Sequence, residues 1–311
     1  MGGGNPGKVV ILGVFVADTA YRAARQPKIG ETILGKSFVL GPGGKGSNQA
    51  VASAMAGADT HFISRLGRDA FADIALATWA KAGVHPAVTQ DPNSYTGAAY
   101  IFIEDATGNN AIIISPGAAA EISNADIDAN ANLIRSGRVV ITQLEQPIPV
   151  AVYALQMARA AGVTTILNPA PAATLPDGML ALCDYVTPNE TEAEALTGLP
   201  VTTVAEAEAA AKALLALGAG AAIITLGDKG ALFHDGSRTV HVPPFKAGPV
   251  VETTGAGDAF NGGFAAALSE GMDPAAAVRF GSATAGISVT RAGTAPSMPA
   301  RVEIEALLRG G

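Results

Sequence analysis

An α/β fold built on a central, largely parallel sheet is predicted by three features of this 311-residue chain. First, continuous apolar runs recur, beginning with "KVVILGVFV" and returning as "HFISRLG", "RVVITQLE", "VTTILNPA", "DYVTPNE" and "AAIITLG". Such runs mark strands buried on both faces. Second, helical patterns over 45–57, 69–82, 149–160 and 203–218 separate most of them at the spacing of βαβ units. Third, two stretches break the alternation: 17–40 is polar and strand-like, and 96–115 reads as two strands around "DATGNN", a hairpin signal. Together they predict a small β subdomain from about 15–40 and 96–115, laid over one end of the main sheet. Two alanine-rich helices, 257–270 and 274–290, complete the pattern, with Pro274 suited to a first helical turn.

Composition limits the function. The chain is 49% hydrophobic and 15% charged, enough for a large core. A net charge of -7 argues against nucleic acid or an anionic membrane as a partner. Charges interrupt the longest helical runs, so no membrane span is expected. The glycine-rich start "MGGGNPG" reads as a flexible segment and not as a signal peptide. The single cysteine, Cys183, suits a reducing cytosol and reads as a buried residue of a strand in "LALCDYV". The four histidines show no paired metal-ligand spacing, which argues against a histidine zinc site.

Two glycine-rich segments carry the chemistry. In "GPGGKGSNQA", Gly41, Gly43 and Gly46 satisfy the letters of a dinucleotide-binding fingerprint. That reading needs a strand directly before the glycines and an acidic residue about 20 positions on. Asp59 is near that spacing but precedes the next strand instead of ending it. In "ETTGAGDAFNGGF", Gly255, Ala256 and Gly257 lead into a helix that opens with Asp258. Orphan N–H groups at a helix start favour negative charge, and small residues let a ligand approach. A carboxylate beside an anion site makes sense as a general base toward a hydroxyl attacking a phosphoryl group. It makes equal sense as a helix cap.

"GGKGSNQAVA…GADTHFISRLG" and "TTGAGDAFNGGF" resemble the two signatures of the ribokinase-like (PfkB) carbohydrate kinase family. "QLEQP", "LNPAPA", "TPNETEAEALTG", "ITLGDKG" and "VTRAGTAPSMP" extend the resemblance over nearly the whole chain. It implies a three-layer sandwich with a β-sheet lid, as a single kinase domain over 1–311. It implies an ATP-dependent kinase acting on a primary hydroxyl of a small sugar, foremost D-ribose to D-ribose 5-phosphate. 2-Deoxyribose, fructose or a nucleoside are alternative acceptors. A catalytically silent sugar-binding protein is a further alternative, against which the intact Asp258 argues.

The resemblance also implies roles. Asp258 would be the base, with the backbone of Gly255, Ala256 and Gly257 as an anion hole. Asp18, Gly44, Lys45, Asn48, Glu145 and Asp258 would bind the sugar. Asn189, Thr225, Gly227, Gly257 and Ser282 would meet ATP, and Glu192 would organise Mg²⁺ through water. A monovalent cation, K⁺, would lie among Glu252, Thr254, Ser288, Arg291, Gly293 and Ser297, largely on backbone carbonyls. The family usually has aspartate where Glu252 stands, and asparagine where Val16 stands. Valine cannot pair with a sugar hydroxyl, so weaker selection for D-ribose over a deoxy sugar is expected; Phe15 beside it is the other candidate to face the site. A cytoplasmic homodimer joined through the lid is the expected assembly.

Overall fold

The computed structural model describes residues 7–310. Of the glycine-rich start, all but Gly7 lies outside the described residues. The main sheet contains β1 (Lys8–Leu12), β4 (Asp59–Leu66), β5 (His85–Gln90), β8 (Val139–Thr142), β9 (Thr164–Leu167), β10 (Tyr185–Val186), β11 (Ala221–Thr225), β12 (Ala231–His234) and β13 (Thr239–Val242). Its order is β13-β12-β11-β10-β9-β8-β1-β4-β5. Pairing is parallel from β11 to β5, and β12 and β13 join as an antiparallel hairpin at the edge.

Alternation along β1 divides the core. Val9 and Ile11 face a layer built by the helices α1 (Lys45–Met55), α2 (Ala70–Ala82), α8 (Ala256–Ser269), α9 (Pro274–Ser288) and α10 (Arg301–Gly310). Val10 and Leu12 face the other layer, with α3 (Asn124–Ala129), α4 (Ala131–Arg135) and α5 (Ile148–Ala160). Further along the sheet that second layer continues with α6 (Glu190–Thr197) and α7 (Val204–Ala216). Helices on both faces explain why the central strands are apolar throughout.

The stretches that broke the alternation form a separate four-stranded sheet. It contains β2 (Val16–Ala23), β3 (Ser37–Gly43), β6 (Thr96–Glu104) and β7 (Asn110–Gly117), in the order β3-β2-β6-β7. The hairpin around "DATGNN" is the β6–β7 connection, while 24–36 holds no strand. Three other elements differ from the sequence reading. The edge strands β5 and β13 have no long apolar run to announce them, because an edge strand is not covered on both sides; β12 is buried throughout but only four residues long. Cys183 is buried as expected, but it follows a 3-10 turn at Leu180–Leu182 and is not part of β10. Burial pushes its thiol up to about 12, and its Sγ donates to the Met179 carbonyl.

The small sheet joins the main one through short links. Three residues separate β1 from β2, and Gly44 alone separates β3 from α1. Gly44 has φ 87°, and a Cβ there would strike the Val14 carbonyl oxygen at 2.5 Å. Only glycine suits both constraints. On the opposite side of α1, Gly262 of α8 lies against the α1 backbone; a Cβ would meet the Gln49 carbonyl oxygen at 2.6 Å. Gly262→Leu is therefore expected to cost about 1–3 kcal/mol through overpacking. Gly257→Ala, where a Cβ meets nothing within 4 Å, is expected to stay within about 0.5 kcal/mol. Urea unfolding midpoints of the two variants check the contrast.

Candidate active site

The C-terminal ends of β8, β9 and β10, the start of α1 and the start of α8 converge at one place, beneath the small sheet. Open parallel sheets place ligands at the carboxyl ends of their strands.

The first turn of α1 is the centre. The Lys45 backbone N–H donates to Glu145 Oε2 at 2.8 Å, so a carboxylate from the loop after β8 caps a helix that has no capping side chain of its own. Asn48 and Gln49 follow on the next turn. Asn48 Nδ2 donates to Asp258 Oδ2, and Gln49 Nε2 donates to Asp258 Oδ1, both at 3.0 Å. Asn48 Oδ1 is buried and finds no protein partner among the described residues. A free buried acceptor of this kind is ready for a hydroxyl donor.

Asp258 lies in the first turn of α8, behind Gly255, which is left-handed at φ 80°. The Gly257 and Asp258 N–H groups find no acceptor among the described residues, whereas the Ala256 N–H donates to the Thr253 carbonyl at 3.1 Å. Of the three residues expected to line an anion hole, Ala256 thus has its amide engaged within the turn, while the N–H groups of Gly255 and Gly257 remain unengaged among the described residues. Gly257 also has open space where a side chain would be, so packing within the chain does not demand glycine there.

From the small sheet, Asp18 reaches over Gly43, whose missing Cβ makes room for the carboxyl group. Val16 is the register partner of Gly43 and lies on the same side of β2 as Asp18, two residues away. It is 7% exposed and packs toward Gly97. Phe15 points the other way, its ring edge-on to Trp79 in the core at 5.8 Å. Val16, not Phe15, therefore shares the Asp18 side.

The predicted nucleotide residues gather further along the sheet. Asn189 pairs with Thr225 as a parallel bridge, and the Thr225 N–H donates to the Pro188 carbonyl. Gly227, at φ 54°, begins the turn after β11, close to the Glu190 carboxylate. Asn189 and Glu192 cap α6 reciprocally: the Glu192 N–H donates to Asn189 Oδ1 at 2.8 Å, and the Asn189 N–H donates to Glu192 Oε2 at 3.0 Å. The second Glu192 oxygen has no protein donor among the described residues, so this hard oxygen suits a hydrated divalent cation. Ser282 lies buried in α9, and its hydroxyl finds no partner among the described residues.

The segments predicted to hold a monovalent cation also meet. The Val251 and Glu252 N–H groups donate to the Val289 carbonyl, and the Gly293 N–H donates to Glu252 Oε2 at 2.8 Å. Glutamate in place of aspartate thus ties the two segments together. The Arg291 side chain turns away to Glu303, the hydroxyls of Ser288 and Ser297 donate to nearby carbonyls, and Thr254 is exposed. Of these residues, the backbone carbonyls, the Thr254 side chain and the second oxygen of Glu252 are left for an ion. Among the described residues, no group of three or more His, Cys, Asp or Glu side chains is placed to hold a metal.

Burial raises the pKa of four carboxylates, Asp18, Glu145, Glu192 and Asp258. Asp18 is pushed up to about 6 and Glu145 to about 7, and Asp258 and Glu192 move in the same direction. The half-buried Lys45 cation opposes the rise at Glu145, Asp258 and Glu192.

The description "pfkB family carbohydrate kinase" matches residues 7–301. The chain belongs to this family. It is 37% identical over 303 residues to a ribokinase of Staphylococcus aureus, covering 96% of this chain and 98% of the relative. It is also 37% identical over 293 residues to a deoxyribokinase of Salmonella typhi, covering 94% and 95%. The structure of Arabidopsis thaliana ribokinase complexed with ribose and ATP superposes with a TM-score of 0.91 at 33% identity, over 97% of this chain and 99% of that one. The ribokinase of Thermotoga maritima gives 0.88 at 38% identity, over 97% and 99%. The sandwich and small sheet are the ribokinase-like fold.

Sequence reasoning missed the residues behind Asp258. Gln143, Asn168 and Thr187 follow the apolar runs of β8, β9 and β10, and all three are buried. Their signal was legible: three neighbouring strands end in an uncharged polar residue at the same edge of the sheet.

Glu145 gives a test of the electrostatics. Its ordinary value of 4.5 rises to about 7 on folding. Between those values the folded state retains a proton that the unfolded chain has lost. The resulting stability is fully present below 4.5 and is lost as pH rises through 7. Glu145→Gln is neutral throughout, so the ligand-free variant is expected to be more stable than its parent above neutral pH, by on the order of 2 kcal/mol. The advantage should vanish in acid. Urea unfolding across the pH range checks both.

Proposed function

We propose that the chain is an ATP-dependent sugar kinase that transfers the γ-phosphoryl group of ATP to a primary hydroxyl, with D-ribose giving D-ribose 5-phosphate. The observation that carries the mechanism is a buried carboxylate, Asp258, beside two unused N–H groups of its own helix start. The acceptor D-ribose is supported by the ribokinase relatives, one of which was solved with ribose and ATP.

In this reading Asp18, Lys45, Asn48 and Glu145 hold the sugar hydroxyls, and the Gly44 backbone lets the ring approach. Carboxylates accept from hydroxyls, while the Asn48 amide can do both. Asp258 takes the proton as the hydroxyl oxygen attacks the γ-phosphorus and ADP leaves. The Gly257 and Asp258 N–H groups stabilise the charge that spreads over the phosphoryl oxygens. Asn189, Thr225, Gly227 and Ser282 line the nucleotide side. Magnesium, held through water by Glu192, would neutralise phosphate charge. Potassium would lie on carbonyls of 252–254 and 288–297.

The whole chain would work as one kinase domain with the small sheet as a lid that excludes water. Tyr21, Phe38, Leu40 and Ile113 leave an exposed apolar surface on one side of that sheet. A second copy covering it fits a homodimer. No described helix is long and apolar enough to cross a membrane.

Purified Asp258→Asn is expected to fold normally and lose roughly 10²–10⁴-fold in turnover. ADP release with ATP, Mg²⁺ and a sugar panel measures it, and near-normal turnover would overturn the base assignment. Val16 sets the selectivity test. Val16→Asn is expected to raise kcat/KM for ribose relative to 2-deoxyribose by about 10-fold, because valine leaves a buried hydroxyl unpaired. An unchanged ratio would mean that Val16 does not meet the sugar.

A further inference from the structure

The carboxylate of Asp258 rests on an amide chain whose polarity is fixed from outside the site. The Thr187 backbone carbonyl can only accept, so Asn168 turns its Nδ2 toward it, at 3.0 Å. Asn168 Oδ1 therefore faces Gln49, and Gln49 answers with its Nε2, also at 3.0 Å. The other hydrogen of that NH₂ group points at Asp258 Oδ1. Gln49 Oε1 then faces Gln143, whose Nε2 donates to it at 2.6 Å. A flipped Gln49 would set its oxygen against Asn168 Oδ1 and the carboxylate together, and its NH₂ against that of Gln143.

We propose that Gln49 is the positioning residue for Asp258. It rests on the reading of Asp258 as the base. Gln49 is fully buried, so it acts through Asp258 and not on a ligand. Its bond to Oδ1 fixes the plane of the carboxylate and leaves Oδ2, on the Asn48 side, to take the proton. The carboxylate also lies within the fields of Lys45 from α1, Glu145 from the loop after β8 and Glu192 from α6. Of the two amides that hold it, only Gln49 is locked from behind. Asn48 leaves its own Oδ1 free, as a group that changes partners would.

The test uses Gln49→Met, which keeps the length of the side chain and removes the donor, with ribose and ATP as substrates. The expected plateau loss in kcat is roughly 10- to 100-fold, from one hydrogen bond to a charged group. KM for ribose and for ATP should change by less than about 3-fold. The acidic limb of kcat should move to higher pH, because a carboxylate that loses a donor holds its proton more tightly. Gln143→Met, which frees the Gln49 amide to turn, should shift the same limb in the same direction by less, and it carries the test if Gln49→Met does not fold. An unmoved limb with kcat within 2-fold of the parent, or a loss confined to KM, overturns the proposal. Full turnover in Asp258→Asn would instead remove the base reading beneath it.

Discussion

Two carboxylates from distant parts of the chain, Glu145 and Asp258, both end on the first turns of α1, and the rest of the site is arranged around that meeting. Each would be costly to bury alone. Glu145 is held by the Lys45 backbone N–H, and Asp258 by two side-chain amides. The Lys45 charge lies among them. The helix start therefore does for these carboxylates what water does at a surface, and α1 must sit where both can reach it. That requirement explains the small residues around the helix. Gly46 abuts Gly13, and Gly262 abuts Ala52, at separations that no side chain allows.

The same junction assigns work to the two sheets. The main sheet delivers polar residues at the ends of three parallel strands, where the backbone ladder is finished and side chains are free to pair. The small sheet delivers Asp18 and Val16 from one side of a single strand. A ligand between them would meet a charged, rigid floor and a partly apolar roof. Raised carboxylate pKa values follow from this enclosure, since burial disfavours the ionised form.

Most of the architecture was legible because a parallel sheet covered on both faces leaves long apolar runs, and β1, β4, β8 and β11 have them. The edge strands β5 and β13 were not, because edge strands need no such run, and β12 is too short to show one. In the site, the glycine-rich segments around Lys45 and Asp258 stood out by composition. The pairing of Asn48 and Gln49 with Asp258 spans more than 200 residues of sequence and leaves no local trace. The partners of Gln143 and Asn168 were hidden for the same reason: the polar strand ends are visible in the sequence, but an amide there reads as solvation until the partner that buries it is known. The Ala256 amide shows the converse case. Its composition suited an anion site, but the turn consumed the donor.

Gly44 is the only residue between the strand β3 and the helix α1. Asp18 belongs to the sheet on one side of it, and Asn48 to the helix on the other. The two groups that would grip opposite parts of one ligand thus sit across a single pivot with left-handed φ, which the Val14 carbonyl crowds from below. A pivot one residue long has no slack. The backbone angles of this one residue set how the roof stands over the floor, so a substitution at Gly44 would misplace both grips at once.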